Sequence, residues 1–200
     1  MSPRIKLKAT GLEIFPLCLG GNVFGWTANE EESFKVLDAF AEAGGNFIDT
    51  ADVYSEWAEG NSGGDSETII GKWMASRGNR HEMVIATKVA KYSKRLGLSA
   101  SNINSAVEES LNRLQTDHID IYYAHEDDQK VELLETLSAF DALVKVGKVH
   151  IMGASNYSAS RLEEATKISN ENGLNRYTAL QNEYNLVERA KFEDRKSTRL

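Results

Sequence analysis

Four side chains spread along the chain have the types needed to protonate an oxygen: Asp49, Tyr54, Lys88 and His125. A phenol has a pKa near 10, too high for a ready proton donor at neutral pH. A nearby ammonium lowers it by favouring the phenolate, which is the role Lys88 could play for Tyr54. A buried lysine needs a counter-ion, and Asp49 can supply one. His125 can hydrogen-bond the same carbonyl oxygen or relay a proton. Together these groups could give a proton to an oxygen as hydride reaches its carbon. Taken singly, each has an ordinary structural reading. Asp49 is a turn or cap residue, Lys88 a strand end in water, His125 a satisfied structural imidazole, and Tyr54 a rim aromatic. The combination matters only if the fold brings the four together.

The elements that would do so alternate along the chain. Short β-rich runs are followed by stretches of helical period. Ile5 to Lys8 and Leu12 to Phe15 flank Gly11 and read as a small hairpin before the main fold. Strands are predicted at Leu17 to Gly21, Asn46 to Thr50, Met83 to Lys88, Ile119 to His125, Val149 to Ser155 and Tyr177 to Gln181. Helices are predicted from Glu30 to about Ala43 with Asn29 as cap, and over 66–74, 99–114, 131–146 and 158–172. Gly44, Gly147 and Gly173 stop three of them. Apolar strands such as Val84-Ile85-Ala86 suggest burial on both faces, as in a parallel sheet. Repeated strand-helix units mean an α/β fold, which a doubly wound sheet and a (β/α)₈ barrel both satisfy. Gly20-Gly21-Asn22-Val23-Phe24-Gly25 after the first predicted strand lacks the dinucleotide glycine spacing, which weakens the doubly wound option. In a barrel the chemistry sits at the C-terminal ends of the strands. Five successive predicted strands end there in polar groups: Asp49, Lys88, His125, Ser155-Asn156 and Gln181-Asn182-Glu183.

Composition narrows the function classes. The chain has 200 residues, 41% hydrophobic and 26% charged, which is globular composition. A net charge of −7 with no basic run argues against nucleic acid or anionic membrane as partner. No stretch approaches the length of a membrane span, and the N-terminus lacks a signal core, so a cytoplasmic protein is expected. Cys18 is the only cysteine, which excludes an intramolecular disulfide and a multi-cysteine zinc site. Its apolar neighbours Phe15, Leu17 and Leu19 suggest a small core residue. The acidic trio Glu126-Asp127-Asp128 reads as a solvated loop rather than a metal site.

Six motifs in order resemble the aldo-keto reductases. They are Gly45-Asn46-Phe47-Ile48-Asp49-Thr50-Ala51-Asp52-Val53-Tyr54; Ser66-Glu67 with Ile70-Gly71; Ala86-Thr87-Lys88; Asp120-Ile121-Tyr122-Tyr123-Ala124-His125; Gly153-Ala154-Ser155-Asn156-Tyr157; and Gln181-Asn182-Glu183-Tyr184-Asn185-Leu186. The Asn-Glu-Tyr-Asn run and the long Gly-rich loop are more similar to the bacterial general aldo-keto reductase branch than to the aldose-reductase branch. The resemblance implies a (β/α)₈ TIM barrel, here with about six strand-helix units and the N-terminal hairpin. It implies NADPH-dependent reduction of aldehyde or ketone carbonyls, with Tyr54 as acid, Lys88 and Asp49 as its tuning pair, and His125 orienting the carbonyl. It implies that Ser155, Asn156 and Gln181 bind the nicotinamide carboxamide, that Asp49 touches the ribose, and that Gly21 and Asn22 approach the cofactor. No metal is implied, and the partner is a small carbonyl compound.

The chain also departs from the family pattern. Six barrel strands are predicted where the fold needs eight. Residues 1–194 are expected to form an incomplete barrel domain, and 195–200, Arg195 to Leu200, read as a non-native tail or the end of a naturally short protein. Open edges predict poor stability and little activity for the isolated chain. Two other functions compete with reduction: a non-catalytic cofactor-binding subunit on the same barrel, and a lyase forming a Schiff base at Lys88. The substrate and the oligomeric state are left open.

Overall fold

The computed structural model describes residues 4–8 and 10–189. The tail at 195–200 lies outside them. Strands β1 (Ile5–Lys6) and β2 (Glu13–Ile14) form the antiparallel hairpin, with Ile5 opposite Ile14. The main sheet holds β3 (Leu19–Gly20), β4 (Phe47–Asp49), β5 (Val84–Val89), β6 (Ile119–Ala124), β7 (Val149–Ser155) and β8 (Ala179–Gln181). They are parallel and lie in sequence order, each beside the next. Between them run α1 (Glu30–Glu42), α2 (Asp65–Arg77), α3 (Ala100–Leu114), α4 (Leu133–Lys145) and α5 (Ala159–Asn172). A sheet of adjacent parallel strands in sequence order, each joined to the next by a crossover helix, is the architecture of a (β/α) barrel. Six of its strand units are present, plus the hairpin.

The helix boundaries follow local chemistry. Asn29 caps α1 through the Glu32 N–H, and the Glu32 carboxylate accepts from the Asn29 N–H, a complete capping box. Ser99 and Ser158 cap α3 and α5 in the same way without the return bond. Gly78 and Gly173 end α2 and α5 in left-handed conformation. The Asn46 side chain ties the hairpin to the sheet: its amide oxygen accepts from the Phe15 N–H at 2.7 Å, and its NH₂ donates to the Glu13 carbonyl.

Strand alternation sorts the side chains into two layers. Ile48, Ile85, Tyr122 and Met152 point outward, where they pack with Leu37, Trp73 and Phe140 from the helices. Phe47, Ala86, Ile121, Tyr123, Ile151 and Ala179 point inward, where Leu7 and Leu12 of the hairpin meet them. Gly153 permits this inner layer: a Cβ there would lie 2.3 Å from the Tyr123 ring.

Two expectations fail at β3. The predicted buried strand Leu17 to Gly21 shrinks to Leu19–Gly20, and Leu17 is exposed. Cys18 is exposed as well, so it is not a core residue. The physical reason is position. Strand β3 pairs only with β4 among the described residues, and Cys18, one residue from outward-packed Leu19, faces inward beside the open edge. The chain atoms around the sulfur and the Asp49 carboxylate push its thiol up to about 12, which leaves it unreactive at neutral pH.

Candidate active site

The inward parity that gathers Phe47, Ala86 and Tyr123 also places Asp49, Lys88 and His125 at the C-terminal ends of β4, β5 and β6. Ser155 ends β7 and Gln181 ends β8 with the same parity. The sheet register brings these ends side by side: Asp49 pairs with Ala86, Lys88 with Tyr123, and Ser155 with Gln181.

Tyr54 reaches the cluster from the loop after β4. The turn is closed by the Tyr54 N–H on the Ala51 carbonyl at 3.1 Å. The next residue, Ser55, has a left-handed φ of 68° and is buried, with its hydroxyl donating to the Phe24 carbonyl at 2.7 Å. The Asn61 amide donates to the Ser55 and Gly25 carbonyls. Side-chain bonds on both sides of a strained residue fix where the phenol points.

The Lys88 ammonium is 1% exposed. It donates to Asp49 Oδ2 at 2.6 Å, to the Thr50 carbonyl at 2.8 Å and to Tyr54 Oη at 2.9 Å. An ammonium has three donors, and all three are used. The Tyr54 hydroxyl lies 3.4 Å from Asp49 Oδ2, a longer contact than any of the three lysine bonds. Burial pushes the Tyr54 phenol above its ordinary value, and Lys88 pulls it back only in part. The simple expectation of a lowered phenol is therefore corrected: removing the ring from water outweighs the ammonium, and Tyr54 keeps its proton at neutral pH.

The Tyr54 and His125 ring centroids are 6.1 Å apart. Burial, then Lys88 and Lys91, press the imidazole down to about 3, so it is neutral at pH 7. Its Nδ1 is buried without a hydrogen-bond partner. Asn156 adopts a left-handed φ of 58° and donates from its side chain to the His125 carbonyl at 2.9 Å and to Ser155 Oγ. Gln181 donates to Asp49 Oδ1 at 3.0 Å. Thus the carboxylate holds Lys88 on one oxygen and Gln181 on the other. Asn22 is exposed. Gly21 is buried, and a Cβ there would meet Ser66 Oγ at 2.8 Å, so close packing against α2 already requires a glycine.

The acidic trio after β6 is spoken for. Glu126 pairs with Lys91, Asp127 with Arg161, and Asp128 accepts from the Leu98 and Lys130 N–H groups.

Sequence reading missed two aromatic side chains and one carboxyl. Trp26 and Trp57 are half-exposed, with centroids 5.7 Å apart, and Trp57 lies 6.2 Å from Tyr54. They form an aromatic wall beside the phenol. Two exposed tryptophans in loops following successive strands was the available signal. Asp52 is 1% exposed, and neither of its oxygens accepts a regular hydrogen bond.

The donors and acceptors at this mouth suit a primary amide on a flat ring. The Ser155 hydroxyl and the Gln181 amide lie on adjacent strand ends, with the Asn156 amide one residue beyond Ser155. These residues fit a nicotinamide.

The model of the Aldo/keto reductase family matches residues 16–199. Norsolorinic acid reductase B of Aspergillus parasiticus is 35% identical over 198 residues, covering 90% of this chain and 50% of that protein. The aryl-alcohol dehydrogenase [NADP(+)] of Phanerodontia chrysosporium is 36% identical over 200 residues, again 90% and 50%. The uncharacterized oxidoreductase YrpG of Bacillus subtilis is 37% identical over 192 residues, 92% and 58%. The chain spans about half the length of the curated relatives it matches. Among the described residues no helix is long and apolar enough to cross a membrane.

Proposed function

The chain belongs to the aldo/keto reductase family, and from that premise we propose that it carries the acid-base half of a carbonyl reductase in which Tyr54 protonates the substrate oxygen. The observation that carries this reading is the Lys88 ammonium, which touches Asp49, Thr50 and Tyr54 at once. A reduced nicotinamide, NADPH by analogy with the NADP(+)-named relative, would supply the hydride to the carbonyl carbon. Ser155, Asn156 and Gln181 would hold its carboxamide, with Asp49 near the ribose and Gly21 and Asn22 on its approach.

The chain's own residues do the rest. The Tyr54 hydroxyl gives its proton to the carbonyl oxygen as negative charge develops there. The phenolate left behind faces the Lys88 ammonium at 2.9 Å, a charge-assisted contact preformed before reaction. Asp49 keeps Lys88 in place and balances its charge. His125, neutral at pH 7, donates an N–H to the same oxygen and adds no competing cation. The alkoxide becomes an alcohol, and Tyr54 is reprotonated from solvent.

The wall of Trp26 and Trp57 favours flat aromatic carbonyl compounds through edge and stacking contacts. The printed name of the aryl-alcohol relative supports the same class. A Schiff base at Lys88 is disfavoured, because all three of its protons are engaged by Asp49, Thr50 and Tyr54. A cofactor-binding subunit without turnover would leave the buried Tyr54–Lys88 contact without a task. Strands β3 and β8 have no further neighbours among the described residues, so the 200-residue chain alone is expected to turn over more slowly than a form as long as its relatives.

The experiment is NADPH oxidation, followed by absorbance, with 4-nitrobenzaldehyde and with an aldose, in both forms. Turnover of the aromatic aldehyde at higher kcat/KM than the aldose supports the proposal. No oxidation of NADPH or NADH by any carbonyl tested would overturn it.

A further inference from the structure

We propose that His118, Asp120 and His150 form a binding site for a divalent transition-metal ion at the N-terminal ends of β6 and β7, on the helix-facing side of the sheet. The ligand atoms of the three lie within 4.8 Å of one another. The sheet itself sets this grouping. Ile119 pairs with Val149 and Ile121 with Ile151, so Asp120 sits beside His150. The two-residue period of a strand puts 118 and 120 on one face. The two imidazoles stack with centroids 4.6 Å apart and planes 25° from parallel.

The surroundings prepare the donors. Asp120 Oδ2 accepts from Arg80 at 2.8 Å and from the Ile85 N–H at 2.9 Å, which fixes the carboxylate. Its other oxygen, Oδ1, faces His150 Nδ1 at 3.6 Å. His118 Nδ1 sits 2.6 Å from the Asp117 carboxylate. A carboxylate on one ring nitrogen fixes the tautomer and leaves the other nitrogen to face an ion, as in many metal-bound histidines. Asp117 and Asp120 against Arg80 leave one uncompensated negative charge for the ion, since Lys148 is paired with Glu108.

Two imidazoles and one carboxylate suit Zn²⁺, Co²⁺ or Ni²⁺ better than Mg²⁺ or Ca²⁺, which prefer oxygen ligands. Tetrahedral bonds of about 2.1 Å hold ligand atoms roughly 3.4 Å apart, so closure from the 4.8 Å span asks for a shift of up to about 1.4 Å and a tilt of the stacked rings. His150, with its side chain 48% exposed, has the room to move. Asp120 and His125 are about 17 Å apart along β6, from a rise of roughly 3.3 Å per residue. An ion here cannot touch the carbonyl. Its effect is to brace β6 against β7 at the end of the barrel where stability is decided.

The test uses the 200-residue chain, purified without a histidine tag and stripped with chelator, titrated with Co²⁺ by calorimetry and visible absorption. The expected result is one saturable equivalent with ligand-field bands, displaced by Zn²⁺. His118→Asn and His150→Asn should each weaken binding by at least about tenfold, and His81→Asn should leave it unchanged. The Tm should rise by roughly 5–10 °C at a hundredfold excess over Kd. Chelator-treated variants melting with the parent show that the fold persists; if either does not, the Co²⁺ bands of the parent chain decide, since a four-coordinate protein site gives them an intensity that octahedral aqueous Co²⁺ lacks. No saturable binding up to millimolar Co²⁺ would overturn the proposal, as would equal affinity in both histidine variants or equal loss in His81→Asn.

Discussion

Replacing Asp52 by asparagine should stabilise the chain, and more so the higher the pH. Asp52 lies two residues before Tyr54, is 1% exposed, and has no regular hydrogen bond to either oxygen. Burial first, and then the Glu67 carboxylate, push its carboxyl up to about 8, while Arg113, Arg95 and the Val53 N–H offset part of the shift. In the unfolded chain an aspartate titrates near 3.9. The folded state therefore binds the proton more tightly. Its stabilising contribution is fully present below about pH 4 and is lost as pH rises towards 8. From pH 5 to pH 8, at about 1.4 kcal/mol per unit and with half-ionisation of the native group at the upper end, the loss is about 3.5 kcal/mol. Relaxation and water entry reduce this, so a fall of about 2–4 kcal/mol is expected. Asparagine keeps the shape and cannot ionise. Urea unfolding followed by tryptophan fluorescence at pH 5 and pH 8 should show the Asp52→Asn advantage growing by that amount between the two. An advantage constant within about 0.5 kcal/mol would refute the assignment of a protonated, unpartnered carboxyl.

Three further outcomes follow from the same geometry. Lys88→Met strands the Asp49 carboxylate in a buried site and should cost about 3–5 kcal/mol, most of it recovered in the Lys88→Met/Asp49→Asn pair; additive losses in the double-mutant cycle would contradict their coupling. His125 is held neutral down to about pH 3, so its folded-state pKa is depressed; the stability is intact above the unfolded value near 6.5 and falls by up to about 1.4 kcal/mol per unit as pH drops towards 3, a slope that His125→Gln should remove. Gly153→Ala places a methyl 2.3 Å from the Tyr123 ring and should destabilise by about 1–3 kcal/mol, seen as a lower urea midpoint at unchanged m.

Much of this arrangement was legible in the sequence because local rules act on few residues. The Asn29 cap, the glycine stops and the hairpin at Gly11 are decided within a turn or two of chain. The period-two parity of Phe47 with Asp49, and of Ala86 with Lys88, already puts the polar ends on the inner face. What escaped depends on neighbours distant in sequence. Whether Leu17 and Cys18 are covered depends on what pairs with the free edge of β3, not on their own apolar run. The balance of burial against the ammonium at Tyr54 is a three-dimensional sum. The bond of Gln181 to Asp49 joins residues 132 apart in sequence, which no local motif encodes. The grouping of His118 with His150 needs the β6–β7 register, which no short motif encodes.

In the proposed function Tyr54 supplies the proton, Lys88, Asp49 and His125 assist its transfer, and Ser155, Asn156 and Gln181 hold the cofactor. Tyr54→Phe, in a form as long as the relatives, separates proton transfer from cofactor binding. NADPH affinity, read by quenching of tryptophan fluorescence, should stay within about twofold, while kcat for 4-nitrobenzaldehyde falls by about 10³-fold, within the usual range for a lost general acid. Turnover that survives the substitution, or a loss of NADPH binding as large as the loss of kcat, would contradict the account.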